Sequence, residues 1–400
     1  MSAVAEALWS GVTANNKIRR YDIADGRWSD IMAWTPQNVL SRFTMFWDGA
    51  YHLWISEWYN NINYNKRINI VTQVAEDFPV ASPIQITLPR GAQNYGSRLY
   101  WPRQSTPYIS TYDYTTKQWA STPDPPAAIA YGGQVGIPPW ATNDPGKVFV
   151  TGGAGKLTFY SYDQITDAWT TETDLDGNIA SGGGDLAWSD ASGTEYIYCA
   201  RTGTDFDKYN VNTGVWARIG DMPNSTLPSY LGGNNLVWDG DNYLFYQSDD
   251  TDYIYRFDLN TETWDAYLAC STGLYYGNAI AYTPRIRFIF LDPDGDRISA
   301  PVSLGSVPKL ATSIPVQYYL KALEAEAGDV TIGILVDGRT DADDIIQIAD
   351  DVAGSPGAWG VTVNKGSFNA DESKPFWFRT NPPAGVNQEA KVARLQLTIS

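Results

Sequence analysis

The sequence predicts an all-β protein: six four-stranded sheets closed into a ring by N-terminal strands, then a small C-terminal β-sandwich. Three observations carry this. Tyr21, Tyr112, Tyr162, Tyr209 and Phe257 each stand seven positions before a Trp, at Trp28, Trp119, Trp169, Trp216 and Trp264. Those Trp positions differ by 91 (28 to 119), 50 (119 to 169), 47 (169 to 216) and 48 (216 to 264), so the first gap holds two units. From about residue 309 onward these markers vanish, while apolar alternation continues without them.

Each aromatic-to-Trp segment reads as a β-hairpin, because Asp25-Gly26, Asn212-Thr213-Gly214 or Asn260-Thr261 supplies turn residues between β-forming flanks. A second hairpin precedes it in the same unit. Phe46-Trp47-Asp48-Gly49 to Trp54, Ala187-Trp188-Ser189-Asp190 to Tyr198, and Leu236-Val237-Trp238-Asp239-Gly240 to Phe245 are three versions of it. Two hairpins per period of high forties make four strands, the size of a propeller blade. A large flat side chain on the fourth strand buries on the order of 200 Å² between neighbouring blades.

In chain order, residues 1–45 open with a weakly patterned arm around Trp9, followed by Lys17–Asp22 and Arg27–Ile31 as the second half of a blade. A degenerate unit lies near 46–90, where Ile68–Gln73 occupies the expected third strand and the Trp is missing. Four units end at Trp119, Trp169, Trp216 and Trp264. Asn278–Tyr282 and Ile286–Leu291 then form an orphan hairpin, expected to pair with Lys17–Asp22 and complete the ring, which removes two open sheet edges.

These features resemble the kelch-type β-propeller family, in which a glycine pair, a Tyr-Asp and a Trp mark each blade. Gly132-Gly133, Gly182-Gly183-Gly184 and Gly232-Gly233 stand ahead of first-strand positions, as that resemblance implies. It covers about residues 1–292 and implies a six-bladed ring, without choosing among binding platform, scaffold and enzyme.

Composition narrows the classes. A net charge of −17 argues against nucleic acid as a partner, since phosphate surfaces need concentrated Lys and Arg. The start Met1-Ser2-Ala3-Val4-Ala5-Glu6 does not read as a signal peptide, and no 18-residue apolar run suggests membrane insertion. Cys199 and Cys270 read as apolar packers rather than a disulfide framework, and with His52 alone on the chain neither metal nor other cofactor is expected. That excludes the copper-radical oxidases, which resemble this fold but need several His ligands.

Candidate ligand-binding residues lie where the units differ, in loops joining second to third strands. Ser56–Asn65 is aromatic and amide-rich, and Trp58, Tyr59, Asn60, Asn61 and Tyr64 supply what a sugar ring requires: an apolar platform with donors and acceptors at its margin. The acidic Gln247–Asp252 segment adds Asp249 and Asp250. Coverage of the degenerate unit's own edge accounts for the aromatics more readily than ligand binding does. Gly152–Lys156 lacks the spacing of a phosphate loop and reads as a turn. Ser189–Thr194 faintly resembles the sialidase Asp-box but does not recur, and no carboxylate pair or arginine cluster can be assembled for glycan cleavage. No catalytic residue is assigned.

Asp292-Pro293-Asp294-Gly295-Asp296 reads as a turn, because Ser303 stands where a calcium loop needs a bidentate Glu. Residues 293–308 form a Pro- and Ser-containing linker, and 309–400 a sandwich with strands at Ile314–Leu320, Val330–Val336, Trp359–Val363, Phe376–Arg379 and Ala393–Ile399; Leu323–Ala327 reads as a short helix. A propeller followed by a sandwich is similar in architecture to fibre and decoration proteins of tailed phages. The expectation is a non-enzymatic virion protein (fibre, tail or head decoration) at the particle surface. Its partners are other virion proteins and a host-surface glycan or receptor, with the propeller displayed and the sandwich docking. A cellular kelch scaffold is the alternative, and a glycan-cleaving enzyme the third.

Overall fold

The computed structural model describes residues 6–12, 17–33, 43–47, 52–59, 62–70, 72–77, 93–95, 98–102, 109–113, 118–129, 135–136, 147–153, 156–164, 166–175, 185–191, 194–201, 204–223, 236–247, 253–269, 279–283, 288–291, 316–322, 330–336, 346–360, 362–370, 372–380 and 393–399. It divides into two compact units, Ala5–Pro284 and a second from Arg285 to Ser400.

The first unit holds six four-stranded antiparallel sheets. Sheet 2 runs Phe43–Trp47, His52–Tyr59, Ile62–Asn69 and Ala75–Asp77; sheet 3 runs Gln93–Tyr95, Arg98–Pro102, Ile109–Asp113 and Gln118–Ser121. Sheet 4 is Val135–Gly136, Lys147–Thr151, Phe159–Asp163 and Ala168–Thr171, and sheet 5 is Asp185–Ser189, Tyr196–Ala200, Asp205–Asn210 and Val215–Asp221. Sheet 6 is Leu236–Trp238, Tyr243–Gln247, Tyr253–Asp258 and Thr263–Ala269. Sheet 1 joins the two ends: Ala279–Thr283 is its first strand, followed by Ala7–Val12, Lys17–Asp22 and Arg27–Ala33. The inner strands neighbour one another in cyclic order, sheet 6 meeting sheet 1 and sheet 1 meeting sheet 2, so the sheets form a closed, propeller-like ring.

This closure corrects the expected one. Lys17–Asp22 pairs with Ala7–Val12, not with Ile286–Leu291, and Phe288–Leu291 pairs with Val316–Ala322 in the second unit. The expected ring boundary at residue 292 therefore moves back to Pro284. The arm around Trp9 is a strand covered on both faces: Ala7, Leu8 and Trp9 are fully buried and Ser10 is 1% exposed. Such a strand has no reason to alternate. Trp9 Nε1 donates to Thr283 Oγ1 at 3.0 Å, tying the chain's beginning to the last inner strand.

The seven-residue spacing has a local cause. Tyr21 faces Trp28, Tyr112 faces Trp119, Tyr162 faces Trp169, Tyr209 faces Trp216 and Phe257 faces Trp264 across antiparallel pairs. After the aromatic comes an Asp or Asn whose side chain caps the turn: Asp22 Oδ1 accepts from Ala24 and Asp25 N–H, Asn210 Oδ1 from Asn212 and Thr213, and Asp258 Oδ1 from Asn260 and Thr261. The residue four later closes the turn onto that residue's carbonyl in a left-handed conformation, as Gly26 (φ 65°), Gly214 (φ 68°) and Glu262 (φ 53°) do. In the degenerate unit the geometry persists without the aromatics. Ile68 faces Ala75, seven positions on, Asn69 caps Thr72, and Gln73 takes the left-handed position at φ 57°. The third strand there is Ile62–Asn69, so Asn69–Gln73 is the turn and not, as expected, part of that strand.

Hydrophobic clusters lie between sheets, not within them. Phe149 and Phe159 of sheet 4 pack on Ile197, Tyr209 and Trp216 of sheet 5, and Tyr198 and Phe206 of sheet 5 on Phe257 and Trp264 of sheet 6. The Trp indoles also bridge: Trp169 Nε1 donates to Pro123 O at 2.8 Å and Trp216 Nε1 to Thr173 O at 3.0 Å. Each ties a fourth strand to the end of the preceding sheet. Cys199 is fully buried in one such cluster, as a packer should be, while Cys270 lies outside the described residues.

The second unit has a five-stranded sheet, ordered Phe288–Leu291, Val316–Ala322, Ser373–Thr380, Ile346–Val352 and Ser355–Gly360, and a three-stranded one, ordered Thr362–Asn364, Val330–Val336 and Ala393–Ile399. One core draws on both: Tyr318, Leu320, Ile348 and Phe376 from the first, Val330, Ile332 and Val363 from the second. The expected strand at Trp359–Val363 splits between the sheets, and Ile346–Val352 is a strand the sequence reading missed. The glycine pairs, the 293–308 linker and the Leu323–Ala327 helix lie outside the described residues.

Candidate functional site

Ser56–Asn65, expected as a loop, is the end of a paired hairpin. Glu57 pairs with Tyr64, Trp58 with Asn63 and Tyr59 with Ile62, leaving positions 60 and 61 as the connection. Among the described residues, the inner strand of sheet 2 pairs as far as Glu57, through Phe43, and the outer strand pairs with Lys66 to Ile68. Among the described residues, Trp58 and Tyr59 pair with no inner strand and Ile62 to Asn65 with no outer one. Aromatic and β-branched residues favour pairing over loop, and this stretch has them at 58, 59, 62 and 64.

The base of this hairpin is fixed by side chains. Trp54 stacks parallel to Phe46, with ring centroids 6.5 Å apart, and meets Tyr112 of the next sheet at 6.4 Å. The Arg67 guanidinium lies 5.6 Å from the Trp54 ring and bonds Glu76, whose Oε1 is also 3.8 Å from His52 Nε2. Burial raises the Tyr112 hydroxyl above its ordinary range despite the nearby Arg67 charge. A cation, an indole and a carboxylate therefore hold the two long strands where the other sheets use a fourth-strand Trp.

Of the candidate ligand-binding residues, Trp58, Tyr59 and Tyr64 are brought into this one hairpin. Asn60, Asn61, Asp249 and Asp250 lie outside the described residues. In sequence they follow Tyr59, which ends the second strand of sheet 2, and Gln247, which ends the second strand of sheet 6. In the Gly152–Lys156 turn, Gly152 N–H donates to Thr158 O at 2.8 Å and Lys156 N–H to Gly153 O at 2.9 Å.

The sequence reading missed a polar group at the end of sheet 5 where its second strand leads to its third. Arg201 bonds Asp207 through Nε and lies 3.6 Å from Asp205, while Arg218 reaches Asp205 at 2.6 Å and Asp221 at 2.5 Å. Asp185 accepts from Leu186 N–H at 2.9 Å and from Leu236 N–H of sheet 6 at 2.6 Å. Burial pushes the Asp207 carboxyl up and Arg201 opposes it. Opposite charges flanking a second-to-third-strand connection were the available signal. At the other end of sheet 5, Ser189–Thr194 is a turn in which Ser189 Oγ accepts from Ala191 N–H, and burial raises the Asp190 carboxyl. Asp239 caps the equivalent turn of sheet 6, accepting from Asp241 and Tyr243 N–H, and burial pushes its pKa up to about 6. Among the described residues no group of three or more His, Cys, Asp or Glu could hold a metal ion. Among them, too, no helix is long and apolar enough to cross a membrane.

No protein-family model matches the chain, and no curated protein does. Among solved structures, a chain in the crystal structure of a nidogen/laminin complex is 12% identical at a TM-score of 0.53, with 69% of this chain and 98% of that one covered. TolB from Acinetobacter baumannii is 12% identical at a TM-score of 0.48, covering 70% and 67%. The first of these likenesses bears on fold alone: the chain is similar to β-propeller proteins, and its six four-stranded sheets are blade-like.

Proposed function

We propose that this chain is a non-enzymatic structural protein of a tailed-phage virion, built as a six-bladed kelch-like propeller and a C-terminal β-sandwich. The propeller is displayed on the particle surface, where the hairpin carrying Trp58, Tyr59 and Tyr64, with Asn60 and Asn61 at its tip, contacts a host-surface glycan. Asp249 and Asp250, which follow Gln247 in sequence, add acceptors for sugar hydroxyls. The sandwich docks on other virion proteins. The observation that supports this reading is the hairpin's ladder running to Tyr59 and Ile62, beyond the described pairing of its inner and outer strands, on a base locked by Trp54, Arg67 and Glu76. Pre-positioned strands lose less entropy on binding than a loop would. The experiment is particle fractionation of the full chain and of a form ending at Pro284, followed by host-cell binding of Trp58→Ala particles. The full chain should co-sediment with virions, the shortened form should not, and Trp58→Ala should weaken cell binding at least tenfold. A chain absent from virions, or particles whose attachment ignores Trp58, would overturn the proposal.

A further inference from the structure

The second unit's five-stranded sheet has one face in its core and another that carries a row of unusual composition. Across the strands the register runs Gln317, Trp377, Ala349, Trp359, because Gln317 pairs with Trp377, and Ala349 pairs with both Trp377 and Trp359. Two half-exposed indoles thus flank a fully buried alanine from adjacent strands. Two strand spacings separate their backbones by roughly 10 Å, about the length of two linked pyranose rings. Neighbouring side chains form a hydrogen-bonded border. Asp351 Oδ1 accepts from Trp377 Nε1 and from Gln317 Nε2, both at 2.8 Å, and Tyr319 Oη donates to Gln317 Oε1 at 3.1 Å. On the other side Arg379 donates twice to Gln347 Oε1, at 2.9 and 2.6 Å, with its guanidinium 4.0 Å from the Trp359 ring.

We propose that this row is a binding platform for a neutral hexopyranose chain, a site separate from the sheet 2 hairpin. Sugar rings present axial C–H groups to an aromatic face and hydroxyls at the rim. The row offers both, with rings already oriented by their own bonds, so that little rotamer freedom remains to be lost. The Gln347 amide N–H groups can donate to a sugar hydroxyl, and Asp351 Oδ2, which accepts from Gly354 N–H at 3.1 Å, keeps one lone pair for another. The fixed charges on the row are one Arg379 and one Asp351, which favours a neutral chain over a uronic or sialic one. An apolar protein partner fits less well, because it would bury the Arg379 and Asp351 charges without replacing their water.

Native gel electrophoresis of the full chain in gels cast with laminarin, galactomannan, pullulan or dextran tests this directly. At least one polysaccharide should retard the protein. Trp377→Ala and Trp359→Ala should each weaken retardation by roughly tenfold, the loss of one stacked ring. Trp377→Phe keeps a ring but loses the Asp351 bond and should weaken it only a few-fold, which covers the case in which Trp377→Ala fails to fold. Val215→Ala, at an exposed position of the first unit, should leave retardation unchanged, whereas retardation abolished by Trp58→Ala would assign it to the sheet 2 hairpin and overturn this proposal. No retardation in any of the four gels, or retardation that survives both tryptophan substitutions, would overturn the assignment.

Discussion

Left-handed turn positions make the repeat geometry quantitatively testable. Gln73, Asp167 and Glu262 occupy the turn position held by Gly26 and Gly214, with φ between 53° and 57°. A side chain in that conformation costs roughly 1–2 kcal/mol, while a glycine loses about 0.4–1 kcal/mol more backbone entropy on folding. Gln73 is the clean site, because it is exposed and its N–H bond to Asn69 O, at 2.7 Å, survives substitution. Gln73→Gly should therefore stabilise the first unit by about 0.5–1 kcal/mol. Gly214→Ala should destabilise it by a similar amount through backbone strain alone, since an added Cβ would meet Tyr209 Oη at 3.5 Å and Thr173 Oγ1 at 3.9 Å, both ordinary contacts. Gln73→Ala should be near neutral. Urea unfolding followed by tryptophan fluorescence reads all three as midpoint shifts at constant slope. If Gln73→Gly fell on the destabilised side of Gln73→Ala, the left-handed assignment in the degenerate unit, and with it the shared turn, would be wrong.

Two further perturbations bear on buried charge. Asp239 has its folded pKa raised from 3.8 to about 6, so the folded state holds the proton more tightly. Its contribution is complete below pH 4 and is lost as pH rises through 6, by about 1–2 kcal/mol after allowance for its partial exposure. Asp239→Asn keeps the turn acceptor and should flatten the stability profile between pH 4 and 6 while raising the melting temperature at pH 7, as differential scanning calorimetry at both pH values would record. Arg201→Met leaves Asp207, with its side chain 6% exposed, without its Nε partner and should cost about 3–5 kcal/mol in urea unfolding. Adding Asp207→Leu should recover most of that loss; a double variant no better than the single one would refute the pairing.

Local rules made the ring legible. Tyr209 and Trp216 are seven apart because a capped four-residue turn with a left-handed closing residue fixes that distance, and the sequence carries every part of it. Even the degenerate unit keeps the spacing at Ile68 and Ala75, hidden only because neither residue is aromatic. What failed was partner choice. Phe288–Leu291 is as rich in β-formers as a ring strand but pairs in the second unit, while Ala7–Val12, interrupted by Ser10 and Gly11, closes the ring. Periodicity reports burial on one face, and says nothing of which strand lies alongside. The same limit hid the tryptophan row, since Gln317, Ala349, Trp359 and Trp377 come from four strands and meet only through register.

The hairpin of sheet 2 shows how a repeat unit keeps its turn geometry after losing its fourth-strand tryptophan. In the other units the fourth-strand Trp is committed to packing: Trp216 contacts Phe159 and Tyr209 at about 5 Å and donates to Thr173 O. Sheet 2 has Ala75 in that place and a fourth strand of three residues, so its outer edge contributes little. Stability must come from the inner and middle strands, and there Phe46, Trp54 and Arg67 stack in sequence, with Glu76 as counter-charge. Shifting the anchor inward lengthens the middle strands, because each added cross-strand pair extends a ladder already aligned by its base. The cross-strand pairs from Glu57–Tyr64 to Tyr59–Ile62 thus continue the ladder that compensates for the missing tryptophan, and among the described strands of the ring these two, at eight residues each, are the longest.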